Sequence, residues 1–548
     1  MRGKTPVRGR GLRGSRRVLP TTFTGLPARP KAHARGRRFL LSARGPPAPG
    51  RPGCSVAARS CSYDPAVNLV EVLLGGGASD APALVGARGV TSYATLTEQV
   101  ERLGGELVRR GVEPGDRVVV MSGNDEMFVA SYLAVLQVGA IAVPLNPMAP
   151  PAELERELSV LEAKLALASG PGVSMLGAAA KGVVRVDLDA LPDERAPRVE
   201  RADTDTAVLL FTSGTAGAPK AAMLTHGNLA ANIRQVLDHP GLRVSSSDVA
   251  LGALPFFHVF GLNVVLGVSL AAGGAVALVA HFEPAATAAV VRAQGVTVLA
   301  GVPTMFAAWV GADLAPDTFS SVRLAVSGAA ELPSDVAHAF RDRFHVELHQ
   351  GYGLTEASPI VTTTALMGGA PPPGSIGPPI PGVEVRLVDA DGADALAGDP
   401  GELWVHGPNV FPGYWHDTEA TDRVLTNGWL RTGDVAVVDD DGGLRLVDRA
   451  KDLIIVSGFN VFPVEVEDVL RAHPDVADAA VVGEPSPRTG EAVVAYVQAA
   501  PGHDLDPDAL STHCAHALAR YKCPTRFEIV DELPRAVSGK LLRRELRD

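Results

Sequence analysis

Cysteine is scarce. Four occur in 548 residues, Cys54 and Cys61 near one end and Cys514 and Cys523 near the other. Two distant pairs form neither a disulfide framework nor a metal-ligand array, and they suit a reducing cytoplasm. Acidic residues are missing from the first 63 positions, which hold 15 Lys and Arg; the rest of the chain holds 35 basic and 61 acidic residues. So acidic a body argues against nucleic acid as the main partner. A convincing membrane span is lacking too. Val259–Ala280 runs 22 residues without a charge, but Gly273 and Gly274 break it and no aromatic belt flanks it. A buried helix, a tight turn and a buried strand are expected there, in a soluble protein.

Hydrophobic residues make up 46% of the chain, enough to bury more than one core. Residues 1–63 are rich in Arg, Pro and Gly and lack apolar periodicity. They read as a disordered extension or a start assigned too early. An Arg-rich, acid-free start also fits a targeting arm, but no secretory apolar core is present. From about Asp64, helical and strand patterns alternate. Ser92 is placed to cap a helix whose Leu96, Val100, Leu103 and Leu107 share one face. Strands such as "RVVVM" and "AIAVPL" are continuous apolar runs, which implies sheets covered on both faces. After residue 375 the texture is β-rich, and "DDDGG" at 439–443 reads as a hairpin connection. From residue 452 a smaller α+β pattern follows, with helices near Val464–Arg471 and Pro507–Arg520. The expected fold class is α/β: a large N-terminal body of αβαβ-layered sheets, a small β-rich subdomain, and an α+β C-terminal domain.

One loop carries chemistry. "FTSGTAGAPK", Phe211 to Lys220, follows an apolar strand and combines Thr212, Ser213 and Thr215 with Gly214, Gly217 and Lys220. Glycines let backbone N–H groups approach an anion, and hydroxyls add donors. The loop reads as a phosphate cradle. It is not the Walker type, which needs Gly before the lysine and Ser or Thr after it; Lys220 lies between Pro219 and Ala221.

"TSGTAGAPKAAMLTH" resembles the nucleotide signature of the adenylate-forming superfamily: acyl-CoA synthetases, non-ribosomal adenylation domains and firefly luciferases. Six further blocks match in order: "LPFFHVFG", "GYGLTE", "GELWVHGPNVFPGYW", "GWLRTGD", "DRAKDLIIVSGFNVFPVEVE" and "PRAVSGK". Within the superfamily, "KDLIIVSGFNVFP" and "VTVLAGVPTMF" look most like bacterial fatty-acyl-CoA synthetases. The resemblance implies two half-reactions. A carboxylate attacks the α-phosphate of ATP, giving acyl-AMP and pyrophosphate; a thiol, usually of CoA, then displaces AMP. It also implies an adenylation domain over residues 64–450 and a mobile C-terminal domain over 451–548.

Roles follow residue by residue from that resemblance. The Thr212–Lys220 loop would hold the β- and γ-phosphates. Gly351, Tyr352 and Gly353 would offer adenine a flat face and backbone, and Thr355 would bond the α-phosphate. Glu356, with Thr215, would hold Mg2+. Asp434 would take the ribose hydroxyls, and Arg449 would assist there or at the phosphates. Lys540 is the catalytic residue implied, bridging acyl carboxylate and α-phosphate. Lys451 matches the hinge. Ser457, Gly458 and Phe459 would line the pantetheine tunnel. His258 sits at the acyl gate, and the acyl pocket would be formed with Ser327, Gly328, Ala329 and Gly351. Asn263 reads as a buried, satisfied amide.

Three positions depart from the superfamily pattern. Ala216 replaces a usual threonine, a loss on the scale of one hydrogen bond, about 0.5–1.5 kcal/mol. Ala221 stands where glycine is common, and Ala450 where a basic residue often precedes the hinge. The expected partners are an apolar carboxylic acid, ATP and CoA. Peripheral membrane contact and a homodimer stay compatible with this reading. The rivals are an acyl-AMP ligase loading a carrier protein, an aryl-CoA ligase, and a non-catalytic nucleotide-binding regulator. No carrier domain follows Asp548, which favours free CoA, and Lys540, Glu356 and Asp434 together argue against the regulator.

Overall fold

The computed structural model describes residues 41–42, 68–149, 151–176, 182–212, 219–366, 374–389, 391–396, 398–438, 443–449, 454–456, 459–461, 463–486, 489–518, 520–535 and 541–546. The disordered extension expected over 1–63 lies outside them, apart from Leu41–Ser42, a short strand antiparallel to Glu384–Val388. The connection at 439–442 lies outside them as well, but the strands it joins, Trp429–Val438 and Leu444–Arg449, pair antiparallel as a hairpin would.

Two mainly parallel sheets build the body. One runs in the order Val183–Arg185, Leu165–Ala168, Arg117–Met121, Ile141–Pro144, Thr206–Thr212, Lys220–Thr225. The other runs Ile360–Thr363, Leu348–Gly353, Leu324–Ser327, Val298–Gly301, Val249–Gly252, Ala275–Leu278, Pro82–Gly86, Gly89–Ser92. Helices cover both, as strands apolar on each face require. Helix Tyr93–Arg109 is capped by the Ser92 side chain, and its Leu96, Val100, Leu103 and Leu107 are all buried. The β-rich part is an antiparallel sheet containing Glu384–Val388, Gly401–His406, Trp429–Val438 and Leu444–Arg449. A fourth sheet is built around the long hairpin Val476–Ser486 and Gly490–Ala499, packed by helices Pro463–Arg471 and Pro507–Ala517 over its own apolar cluster.

The uncharged run at 259–280 folds as helix, turn and strand: helix from Phe260 to Ala271, Gly273 at φ 76°, strand Ala275–Leu278. Among the described residues no helix is long and apolar enough to cross a membrane. One detail departs from expectation. Over Phe260–Gly267 the helix is a π-helix, a rare winding that clusters at functional sites. The run is apolar all round, so periodicity could not distinguish the wider turn.

Candidate active site

The site gathers where strands of the two parallel sheets end, the usual ligand position of open α/β sheets. Strand Thr206–Thr212 enters the phosphate-type loop and strand Lys220–Thr225 leaves it, with Thr212 and Lys220 paired in register. Ser213, Gly214, Thr215 and Gly217 lie outside the described residues. Strand Leu348–Gly353 brings up Gly351, Tyr352 and Gly353, and a single 3-10 turn, Thr355–Ala357, follows. Tyr352 donates its hydroxyl to Asp434 Oδ2 at 2.7 Å, across 82 residues of sequence. Asp434 stands opposite Arg449 in the antiparallel register. Tyr352, Asp434 and Arg449, from three separate sequence blocks, are thus neighbours.

A residue without an assigned role in the sequence joins them. Tyr414 donates to Glu356 Oε1 at 2.7 Å, and Lys220 Nζ lies 5.4 Å from the centroid of its ring. Burial, then the negative charge of Glu356, pushes the Tyr414 phenol above its ordinary value, so it stays a donor. Tyr414 was visible only as part of "GPNVFPGYW"; nothing in that string pointed to Glu356.

Three buried amides secure the turn that carries Thr355 and Glu356. Asn409 donates to the Ala357 carbonyl at 2.8 Å and Asn263 to that of Ser358 at 2.7 Å. Asn232 donates to the Ile360 carbonyl at 2.9 Å and accepts from its N–H at 3.2 Å. Asn263 also reaches the Leu229 carbonyl at 3.3 Å, so it is the satisfied amide expected. It sits within the π-helix, where Val268 N–H bonds its carbonyl. Asn263→Ala strips the Ser358 and Leu229 carbonyls of a buried donor and is expected to cost about 1–3 kcal/mol of stability. A fall in denaturant midpoint at unchanged slope would register it.

An apolar cavity of about 50 Å3 opens behind Gly351; one water needs roughly 10–15 Å3 on that measure. Val236, Val264, Val265, Leu299, Leu324, Val326 and Ile360 help line it, with Ser269 and Thr363 as its polar side chains. Of the five acyl-pocket residues expected, Gly351 lines it. Ser327 does not. Leu324 and Val326 face the cavity, and strand alternation turns Ser327 to the opposite face. There its hydroxyl is fully buried without a hydrogen-bond partner among the described residues. Gly328 and Ala329 lie past the strand end; a Cβ on Gly328 would crowd the Phe260 ring at 3.1 Å. His258 is exposed, and its Nδ1 accepts from Phe260 N–H at 3.3 Å at the start of the π-helix.

Lys451, Ser457, Gly458 and Lys540 lie outside the described residues, and of Phe459 only its place in strand Phe459–Val461 is described. Among the described residues no three His, Cys, Asp or Glu cluster as a metal site. One carboxylate, Glu356, with one oxygen held by Tyr414, suits Mg2+ bound chiefly through substrate phosphates rather than a protein cage.

Known proteins carry the same pattern. A family model described as AMP-binding enzyme matches residues 76–415, and one described as AMP-binding enzyme C-terminal domain matches 465–540. A feruloyl-CoA synthase from Amycolatopsis sp is 40% identical over 466 residues, 83% of this chain and 93% of its own. A long-chain-fatty-acid–CoA ligase from Yersinia pestis is 37% identical over 524 residues, 86% of this chain and 92% of its own. The ATP-bound structure of MatB from Rhodopseudomonas palustris superposes with a TM-score of 0.82 at 32% identity, covering 88% of this chain and 98% of that one. The chain therefore belongs to the AMP-binding enzyme family, the adenylate-forming superfamily, and is an AMP-forming acid–thiol ligase.

Proposed function

We propose that the chain activates a medium- to long-chain fatty acid with Mg2+-ATP, giving acyl-AMP and pyrophosphate, and then passes the acyl group to CoA. The cavity behind Gly351 supports an apolar acyl group, and the similarity to a long-chain-fatty-acid–CoA ligase supports a fatty one. Apart from Ser269 and Thr363 the cavity lining is apolar, and none of the described residues that line it is charged. Apolar walls with few polar groups suit a tail that asks for no hydrogen bonds. The ATP-bound relative and the relatives named as CoA ligases support ATP and CoA as the co-substrates.

The residues would act as follows. The Thr212–Lys220 loop, including Ser213, Gly214, Thr215 and Gly217, holds the β- and γ-phosphates. Tyr352, flanked by Gly351 and Gly353, faces adenine, and Asp434 and Arg449 face the ribose. Thr355 bonds the α-phosphate, and Glu356 with Thr215 holds Mg2+, which neutralises phosphate charge when bound. Lys540, on a C-terminal domain that turns about Lys451, meets the charge built up between carboxylate and α-phosphate. Ser457, Gly458 and Phe459 guide the pantetheine arm, and His258 gates the acyl group. We place the domain division at 450/451 and the reaction in the cytoplasm.

An aryl acid is the second reading, supported by the similarity to a feruloyl-CoA synthase. ATP–pyrophosphate exchange over straight-chain fatty, hydroxycinnamic and short acids, repeated with CoA and with a carrier protein, separates the readings. Strongest exchange with fatty acids and a thioester on free CoA is the expected result. Preference for a hydroxycinnamate would replace the fatty acid with the aryl substrate.

A further inference from the structure

We infer that Tyr414 is a positioning residue that holds the Glu356 carboxylate for the metal–phosphate site and supports the Lys220 ammonium beside it. The inference rests on the ligase reading proposed above.

The tyrosine is held from three sides. Trp415 N–H bonds the Ala221 carbonyl at 2.8 Å and Met223 N–H bonds the Gly413 carbonyl at 3.0 Å, so this segment runs as an added strand beside Lys220–Thr225. Tyr414 N–H bonds Thr421 Oγ1 at 2.9 Å. Phe411 N–H bonds the Glu356 carbonyl at 2.9 Å, tying the same segment to the backbone of the residue that the hydroxyl holds. The ring is buried and meets the edge of Phe411 at 5.0 Å. These contacts hold the ring beside both charged groups.

Its two ends then do different work. The hydroxyl occupies one oxygen of Glu356, leaving the other for a cation. The ring stands next to the Lys220 ammonium at cation–π distance. Among the described residues Lys220 makes no ion pair. The hydroxyl fixes the carboxylate and the ring face supports the ammonium, so both charged groups are held in place before the ligand arrives.

Calorimetric ATP binding at stepped Mg2+, without acid, tests this beside the two half-reactions. Tyr414→Phe keeps the ring and removes the hydroxyl. Loss of one hydrogen bond to a charged group should raise the Mg2+ needed for half-maximal ATP binding about tenfold, with affinity at saturating Mg2+ within about twofold. Tyr414→Leu also removes the ring and should weaken ATP at every Mg2+ concentration. Thioester formation from supplied acyl-AMP should stay within about twofold in Tyr414→Phe. A Tyr414→Phe protein with wild-type Mg2+ dependence overturns the inference. So does an equal loss of both half-reactions with a lowered Tm, the mark of a packing role. Wild-type protein that binds Mg2+-ATP yet exchanges pyrophosphate with no acid would overturn the ligase reading instead, while the Mg2+ titration still decides the role of Tyr414.

Discussion

Lys540→Ala should slow acyl-adenylate formation by roughly 10²–10³, the effect of losing one fixed electrostatic donor. Thioester formation from supplied acyl-AMP should suffer far less. The reason is where charge develops. In the first step, carboxylate and phosphate oxygens crowd together, and an ammonium group between them lowers the barrier. In the second, the leaving group is AMP and no such crowding recurs. The described residues on either side of Lys540 are anchored independently. Arg535 is paired with Asp478, and Leu542 N–H bonds the Pro534 carbonyl at 2.8 Å. Arg543 reaches both carboxylate oxygens of buried Glu467 at 3.0 and 2.8 Å, and Glu467 also accepts from Val481 N–H at 2.8 Å. These anchors tie Arg535 and Arg543 to helix Pro463–Arg471 and strand Val476–Ser486. Pyrophosphate exchange and acyl-AMP thiolysis, measured on one preparation, check the asymmetry. Equal losses in both would remove Lys540 from its proposed place in adenylation.

Gly353→Ala should be nearly as damaging, by steric rather than electrostatic means. A Cβ at this position would overlap the carbonyl oxygen of Pro359 and lie 2.8 Å from its carbon. Both are backbone atoms, so no side chain can step aside. Overpacking of this kind costs about 1–3 kcal/mol. The functional loss should exceed what stability alone implies. Leu354 N–H bonds that same Pro359 carbonyl at 3.1 Å, closing the turn that holds Thr355 and Glu356. A shift of about 1 Å in a positioning element can cost on the order of 10² in rate. Folded Gly353→Ala protein should therefore show pyrophosphate exchange reduced by about that factor, with far-UV circular dichroism unchanged. Wild-type exchange in the variant would mean the turn tolerates displacement and is not a positioning element.

The fold was legible wherever local pattern and burial coincide. Leu96, Val100, Leu103 and Leu107 repeat at helical spacing and all face the core. Two glycines in an uncharged run marked the turn between a helix and a strand, and Gly273 takes the positive φ a tight turn asks for. The site was legible as a set of blocks, because short strings of Gly, Thr, Lys, Glu and Asp carry their chemistry with them. Ser327 shows the limit. Its smallness suggested a pocket wall, but whether it faces the cavity depends on strand phase, and Val326 holds the inward position. The π-winding at Phe260–Gly267 was equally hidden, since an all-apolar run has no polar face to mark its turn.

Sequence alone settled which groups this protein possesses: a hydroxyl- and glycine-rich loop with a lysine, a Thr–Glu turn, an aspartate after Gly433, and a lysine near the C-terminus. Tertiary structure alone decided which of them touch. Tyr352 meets Asp434 across 82 residues, Tyr414 meets Glu356 across 58, and Asn232 grips Ile360 across 128. Such contacts leave no local periodicity, because each partner is placed by the packing of a different element. Only when the sheets and the β-rich part close on one another do a phenol, a carboxylate and an ammonium come to share one small, half-buried space.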